Sequence, residues 1–454
     1  MIIYKTKGKV IFMKKIKKII SLALVLTLAV TTAFSMSGCS KKKNSGAAGA
    51  GATAAEILAS MPENLKGTTI TFLNWYDPYE RDEGAIIDAF EKETGCKVEV
   101  IVKSYGEEYN SYLATAVANG DAPDVFRIKE PDPDMLKMCE PLSSTNFEFS
   151  YDVWDKEVME NYSVNGIAYG MNLKKTPFFL PSILFYSTDV IEQMGYEDPY
   201  ELWQKDEWTW EVLEEMCDDW VKQGEVYKGI NFLPRSTVAL TRGVDFVKYD
   251  GGKYTSNLSD KKVLEAWEFT TQMQQDLLLD SGNAGAENRN PTLLFAYMDA
   301  TALQAKSTYF RQYRKSDALG VVPMPAWETK EDYAVPMMEY LAFGVAKGAK
   351  NPEAVPYFLS YYLNVENYNM DSFFYNDHCK EVYEELMAME NKIPNASNYI
   401  IHTDINDKIG YNEENLYLYV EPTNITKWLG EREYLIEDKI ATANDTLSNC
   451  KGQK

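Results

Sequence analysis

The stretch from Ile70 to Ile128 constrains this chain most. It reads ITFLNWYDPYERDEGAIIDAFEKETGCKVEVIVKSYGEEYNSYLATAVANGDAPDVFRI. Ile70 to Trp75 is an apolar run too short for a helix, which makes it a strand. Glu80 to Glu93 carries Ile86, Ile87 and Phe90 at helical spacing, with Gly95 as the stop. Val98, Val100 and Val102 alternate as a second strand. Tyr109, Tyr112, Leu113, Ala116 and Val117 mark one helical face, closed by Asn119-Gly120. Val125, Phe126 and Ile128 open a third strand after Pro123. The order β-α-β-α-β with short connections predicts an α/β fold on a parallel sheet with right-handed crossovers. Ligands of such sheets bind beyond the carboxyl ends of the strands.

Two loops lie at that edge: Asn74 to Tyr79, and the segment after Ile128. Neither is built for a nucleotide. No GxGxxG follows the first strand, and GxxxxGK[ST] is absent from the chain. The first loop instead sets Trp75, Tyr76 and Tyr79 within five residues. Flat aromatic faces suit sugar rings and other ring-shaped solutes.

The amino terminus reads as an address. Lys14, Lys15, Lys17 and Lys18 precede the apolar run Ile19 to Val30. Ser35-Met36-Ser37-Gly38 is small and uncharged, and Cys39 follows. This is a secretory signal rather than a membrane span, because its core is nearer 15 residues than the roughly 20 a spanning helix needs. Met1 to Phe12 adds nothing to it, and Met13 serves equally as a start. Ser40 to Ala55 is Lys-led and then rich in Gly, Ala and Ser. About 25 residues of such tether span roughly 25–30 Å as a flexible coil.

The 454-residue chain carries a net charge of −22. Residues 1–38 hold seven Lys and no acid, so the remainder is more acidic still. Such a chain is excluded as a nucleic-acid binder, and the charge serves solubility. The cysteines are Cys39, Cys96, Cys139, Cys217, Cys379 and Cys450, with no CxxC among them. With Cys39 set aside an odd number remains, read as small buried hydrophobes. His378 and His402 are the chain's two histidines and neither pairs with Cys at metal spacing, so no metal and no cofactor is expected.

Further along, Tyr151 to Asn161 is predicted helical. Asn165-Gly166 between apolar pairs predicts a hairpin. Ser182 to Tyr186 reads as a strand, and Thr188 to Met194 as a helix closed by Gly195. Thr209 caps a helix lined by Val212, Leu213, Met216, Trp220 and Val221, with Trp208 and Trp210 stapling its start. Ser259 caps another, with Val263, Leu264, Trp267 and Thr270 inward, and Asn290-Pro291 is expected to begin a further helix. Tyr340 to Val345 reads as a strand and Pro352 to Leu363 as a helix. Beyond Val365 come amphipathic helical stretches and a frayed tail from Ser448. The acidic pairs Glu107-Glu108 and Asp218-Asp219 are solvated faces rather than a glycosidase couple, which needs two carboxyls about 5–10 Å apart across a sugar. No G-x-S-x-G or Ser/His/Asp ordering is present.

In their order, several stretches resemble the carbohydrate-type (family 1) extracellular solute-binding lipoproteins of ABC importers. The lipobox at Cys39 is one. Ala89 to Val100 (AFEKETGCKVEV) and Leu113 to Phe126 (LATAVANGDAPDVF) follow the family's opening unit. Val164 to Met171 (VNGIAYGM) matches its turn, although Met171 replaces an uncharged residue of another kind. Leu184 to Met216 matches its second-lobe entry, with Ser187 for the usual Asn. Gly320 to Pro325 (GVVPMP) and Lys347 to Ala354 (KGAKNPEA) complete the set. Leu294 to Ala300 (LFAYMDA) departs from the family's FxxGkaAM.

The resemblance implies a two-lobed periplasmic-binding-protein-like fold, each lobe a mostly parallel sheet flanked by helices, with the ligand cleft between lobes. It implies these divisions: 1–38 signal peptide, 39–66 lipidated Cys39 and tether, 67–182 first lobe, 183–320 second lobe, and 321–454 return segments and C-terminal helices shared by both. The implied function is capture of a sugar or short oligosaccharide by hinge closure, with delivery to ABC permease subunits and without catalysis. The protein would be a monomer held by lipid at the outer face of the cell membrane. The candidate ligand contacts are Asn74, Trp75, Tyr76, Tyr79 and Glu80 in the first loop, and Glu130 after the third strand. From the second lobe and the crossings come Tyr186, Arg235, Trp327, Glu339 and Tyr340. A secreted glycan-active enzyme, or a binding protein reporting to a sensor, stand as the alternatives.

Overall fold

A computed structural model describes residues 53–128, 132–231, 233–276, 292–305, 318–394 and 425–450. The signal, Cys39 and most of the tether lie outside the described residues, as do Glu130 and residues 451–454.

The opening unit forms as its pattern dictates. Strand β1 (Thr69–Asn74) pairs in parallel with β2 (Lys97–Val102) and with β3 (Val125–Ile128). The helix between β1 and β2 spans Glu83–Thr94 and ends where Gly95 turns left-handed at φ 73°. That conformation suits a residue without Cβ. The helix between β2 and β3 spans Glu107–Asn119, closed by Gly120 at φ 77°. Alternation along β1 sends Ile70 and Phe72 to one face and Leu73 to the other, and each face is buried by its own cluster. Phe72 meets Phe358 and Tyr362 of the helix Val355–Tyr362 at ring separations of 5.7 and 5.5 Å. Fully burying such a ring contributes about 1.5–3 kcal/mol.

The predicted hairpin is present as β4 (Ser163–Val164) and β5 (Ile167–Ala168). Its turn residues Asn165 and Gly166 both have positive φ, 53° and 75°. This is the mirror-image turn that matches strand twist. A second hairpin joins β9 (Val247–Asp250) to β10 (Lys253–Ser256).

Two larger sheets result, each with one strand running against the rest. In the first, ordered β2-β1-β3-β14-β6, the contrary strand is β14 (Ala342–Val345), antiparallel to β3 and to β6 (Gly170–Met171). In the second, ordered β15-β13-β7-β11-β8, it is β7 (Phe179–Ser187). Strand β7 is antiparallel to β11 (Leu293–Asp299), β12 (Leu319–Pro323) and β13 (Val335–Tyr340). The outer strands β8 (Lys228–Ile230) and β15 (Lys392–Pro394) run parallel to β11 and β13. Each contrary strand has just crossed from the other sheet: β7 follows β6, and β14 follows β13 with Leu341 alone between them. The crossings are tied together. Tyr340 pairs with Phe179, and the buried Asn172 Nδ2 donates to Leu341 O at 2.7 Å.

Several expectations need correction. The helix expected over Tyr151 to Asn161 forms only as Lys156–Asn161, capped by Asp155, because Trp154 bridges to Leu173 instead. The segment after Asn290-Pro291 is not helical where described, since Leu293–Asp299 is strand β11. Leu293 to Tyr297 are all buried, and a short run covered on both faces reads alike as strand or helix by periodicity. The expected single strand Tyr340 to Val345 is the junction of β13 and β14. Cys96, Cys139, Cys217, Cys379 and Cys450 are free and buried, as small hydrophobes.

Candidate functional site at the carboxyl edge of the first sheet

Strand β1 delivers Asn74 to the sheet edge fully buried. Its Nδ2 donates to Tyr76 O at 2.9 Å and bends the chain away from the strand, while Oδ1 has no protein partner. Trp75 follows, half-buried. Its ring meets Tyr105 edge-on at 5.3 Å and Tyr109 at 5.6 Å. The buried Tyr109 hydroxyl accepts the Arg127 N–H at 2.9 Å and sits 3.0 Å from Arg127 O. It thereby staples the helix Glu107–Asn119 to the end of β3. Burial pushes its phenol well above the ordinary tyrosine range.

Tyr76 is clamped. Its hydroxyl donates to Glu83 Oε1 at 2.9 Å and accepts from Arg127 Nη2 at 2.7 Å. The Arg81 guanidinium carbon lies 3.8 Å from its ring centroid and that of Arg127 lies 4.7 Å away. Burial raises the phenol's pKa strongly against the opposing pull of the Arg127 charge. Beyond Tyr76, Asp77 Oδ1 accepts the Tyr79 N–H at 2.9 Å and caps the single turn Pro78–Glu80. Tyr79 and Glu80 are exposed there. This turn folds back onto Gly84, where a Cβ would stand 2.8 Å from Tyr79 Cα and 3.2 Å from Pro78 O.

The apolar surface at this edge is unusual. Among the described residues five large hydrophobics are strongly exposed; Val226 and Tyr434 lie elsewhere, and Tyr79, Val102 and Tyr105, at 50, 44 and 55 %, lie here. All three follow or end β1 and β2 at their carboxyl ends, and Tyr105 meets Trp75 directly. Tyr105 is absent from the candidates drawn from sequence. The signal for it was present: Tyr105 lies in the loop after β2, as Trp75 and Tyr76 lie in the loop after β1.

The remaining candidates lie elsewhere. Tyr186 is 2 % exposed in β7; its hydroxyl donates to Asp198 Oδ1 at 2.6 Å, and its ring lies where a Cβ on Gly320 would stand, 2.2 Å away. Trp327 is half-buried after β12, its Nε1 donating to Val238 O at 3.2 Å under the Arg242 guanidinium. Arg235 opens the helix Arg235–Leu240, and Glu339 and Tyr340 end β13. Their side chains, like all of Glu130, fall outside the described set. Trp208 and Trp210 are core residues, with Nε1 groups on Pro323 O and Thr241 Oγ1. Of the acidic pairs, Glu108 accepts the Ser104 N–H at 3.1 Å, and Asp218 and Asp219 both face Lys222. None of these carboxylates is paired across a cleft. No group of ligating side chains able to hold a metal ion occurs among the described residues, and no described helix is long and apolar enough to cross a membrane.

A family model of bacterial extracellular solute-binding proteins matches residues 77–369. No curated protein matches the chain. Among solved structures, the chain is similar to the sugar-binding protein MalE of Xanthomonas citri, at TM-score 0.59 and 15 % identity over 84 % of this chain and 98 % of that one. It is also similar to the galacto-N-biose-/lacto-N-biose I-binding protein of the Bifidobacterium longum ABC transporter (TM-score 0.58, 13 % identity, 85 % and 98 % covered). A third is the ABC-transporter-associated binding protein of B. animalis subsp. lactis in complex with β-1,6-galactobiose (TM-score 0.57, 16 % identity, 82 % and 98 % covered).

Proposed function

The chain belongs to the bacterial extracellular solute-binding proteins, and from that membership we propose that it captures a sugar or short oligosaccharide and delivers it to the membrane subunits of an ABC importer. The observation that carries this reading is the exposed aromatic edge of the first sheet, where Tyr105 stands against the half-buried Trp75 and Tyr79 is exposed in the turn that follows it. Exposed rings at the ends of parallel strands stand where α/β sheets take their ligands. A sugar ring offers a matching apolar face, and its hydroxyls need polar partners at the rim. Asp77 and the exposed Glu80 supply these on the first lobe. Glu130, after the third strand, stays a candidate beside them, and from the second lobe and the crossings Tyr186, Arg235, Trp327, Glu339 and Tyr340 stay candidates for the opposite wall. The MalE, lacto-N-biose and galactobiose proteins share this fold and are named for such ligands.

Closure follows from the two tied crossings. Ligand contacts made from both lobes stabilise the closed arrangement, and the importer recognises that arrangement. No reaction is required, and the protein acts as a monomeric binder. Cys39 is the lipidation site that would tether it to the outer face of the membrane, through more than one acyl chain.

A thermal-shift panel of mono- and oligosaccharides tests the reading, because a ligand stabilises the folded form by RT ln(1 + [L]/Kd). One or more sugars should raise the melting temperature in proportion to the logarithm of concentration. A response to peptides or amino acids, with none to any sugar, would refute it.

A further inference from the structure

Arg127 is the most anomalous side chain of the first lobe. It occupies the third position of the four-residue strand β3, whose residues are all buried, and it is 2 % exposed. A guanidinium in such a place normally lies against a carboxylate, because desolvating it alone is costly. No described carboxylate does so here. Its Nη2 donates to two phenols, Tyr76 at 2.7 Å and Tyr362 at 3.3 Å, and its Nε has no partner. Glu83 is reached only through the Tyr76 hydroxyl. Four rings surround the cation: Trp75 at 5.2 Å, Tyr76 at 4.7 Å, Phe178 at 4.8 Å and Phe343 at 5.4 Å.

The origins of those partners matter more than their number. Trp75 and Tyr76 belong to the proposed ligand loop. Phe178 lies in the crossing that enters β7, and Phe343 lies in β14, just past the return crossing. Tyr362 ends the helix that covers the same face of the first sheet. One cation therefore sits where the loop meets both segments that join the lobes. An apolar side chain of similar size would fill the space without a desolvation cost, but it could not bond the Tyr76 phenol. A guanidinium does both. Its planar fork directs hydrogen bonds to the phenols, and ring faces accept the charge with little directional demand.

We propose that Arg127 is the positioning residue of the ligand loop, holding Trp75 and Tyr76 against the two crossings so that occupancy of the loop and closure of the lobes become one event. The proposal rests on the sugar-binding reading for its ligand, but its structural half stands without one. A two-state element biased by the ligand is what such coupling requires, and the proposal assigns that part to the two crossings.

The test compares the parent with Glu83→Gln, Arg127→Lys and the double variant Glu83→Gln/Arg127→Met. The double change removes both buried charges together, so neither is left uncompensated. Melting, hydrogen exchange without ligand, calorimetric affinity for the sugar that emerges from the panel, and the ligand-induced fall in radius of gyration by X-ray scattering are measured on each. The double variant should melt near Glu83→Gln and lose exchange protection at residues 74–82 and along the crossings, with the rest of both sheets unchanged. It should bind about 10- to 100-fold more weakly, and most of the contraction on binding should disappear. Arg127→Lys keeps the charge but not the fork, and should recover part of the affinity. If the double variant does not fold, Arg127→Lys decides alone: normal melting with several-fold weaker binding is expected. Parent affinity and contraction in the variants, or protection lost evenly through both sheets, would overturn the proposal. Should the parent bind no sugar, the functional reading falls, and the exchange pattern still decides the role of Arg127.

Discussion

Tyr105→Ala separates a ligand platform from ordinary packing at the carboxyl edge. An aromatic side chain has roughly 150–250 Å² to bury. Tyr105 is 55 % exposed, so about 100 Å² of its ring remains for a ligand. A sugar stacked on one face would cover about half to all of that. At roughly 25 cal/mol per Å² this is about 1–2.5 kcal/mol, or a loss of affinity of about 5- to 70-fold on truncation. The effect on stability should be small. The edge contact with Trp75 at 5.3 Å is lost, worth about 0.5–1.5 kcal/mol. In a chain of this length that moves the melting temperature by no more than about 4 °C. Tyr76→Ala should behave in the opposite way. It removes the phenol between Arg127 and Glu83, leaves two buried charges without their bridge, and should lower the melting temperature by more than Tyr105→Ala does. Melting without ligand and calorimetry with the best sugar of the panel measure both terms. If Tyr105→Ala and Trp75→Ala both melt and bind as the parent does, the first-sheet edge is not the platform and the site assignment fails.

Cys39→Ala should release the protein from the membrane fraction or leave it as uncleaved precursor; normal retention with cleavage after Gly38 would contradict lipidation at that cysteine. Gly84→Ala places a Cβ 2.7 Å from the Tyr79 ring and 2.8 Å from its Cα, so the turn Pro78–Glu80 must lift. It should weaken sugar binding several-fold with a modest fall in melting temperature, and unchanged affinity would show that this turn takes no part in the site. Glu265 is bonded by Arg242 and Lys261, which hold its carboxyl below the usual 4.5. A depressed carboxyl contributes stability above its unfolded pKa and loses it as pH falls through the folded value. Melting followed from pH about 5 downward should therefore fall less in Glu265→Gln than in the parent, and parallel curves would refute the linkage.

The opening unit was legible because its signals are local. Gly95 and Gly120 take the left-handed conformations that their positions after helical runs demand, and Asn165-Gly166 takes the mirror-image turn its sequence favours. The contrary strands were not legible in the same way. Strand β7 is an apolar nine-residue run whose direction relative to β11, β12 and β13 depends on partners more than 100 residues away. Nothing local distinguishes a strand that has crossed between sheets from one that has not. Strand β11 differs from the expected helix for the reason that hides most central strands. Leu293 to Tyr297 are all buried, so the alternation that marks a half-exposed strand is missing, and the Asn-Pro before it imitates a helix start.

The site divides along the same line. Loop residues next to a strand end can be placed from sequence, because the end of β1 must lie at an edge of the sheet. What each ring does there cannot be placed, since that depends on which side chains arrive from elsewhere. Tyr76 and Tyr105 have the same chemistry at equivalent edges. Tyr76 meets Arg127, Arg81 and Glu83, so its hydroxyl is committed and a ligand gains the ring only by displacing Arg81. Tyr105 meets the edge of Trp75 and keeps more than half of its surface exposed. The sequence does hold one mark of this difference. In Val125-Phe126-Arg127-Ile128 an arginine interrupts a run that is otherwise core. A charge inside a strand buried on both faces must be answered by groups that converge on it. The phenols and rings that answer Arg127 come from the ligand loop, from both crossings and from the covering helix. If Arg127 positions the loop as proposed, the placement of Trp75 and Tyr76 depends on a cation of the neighbouring strand as well as on the loop's own residues.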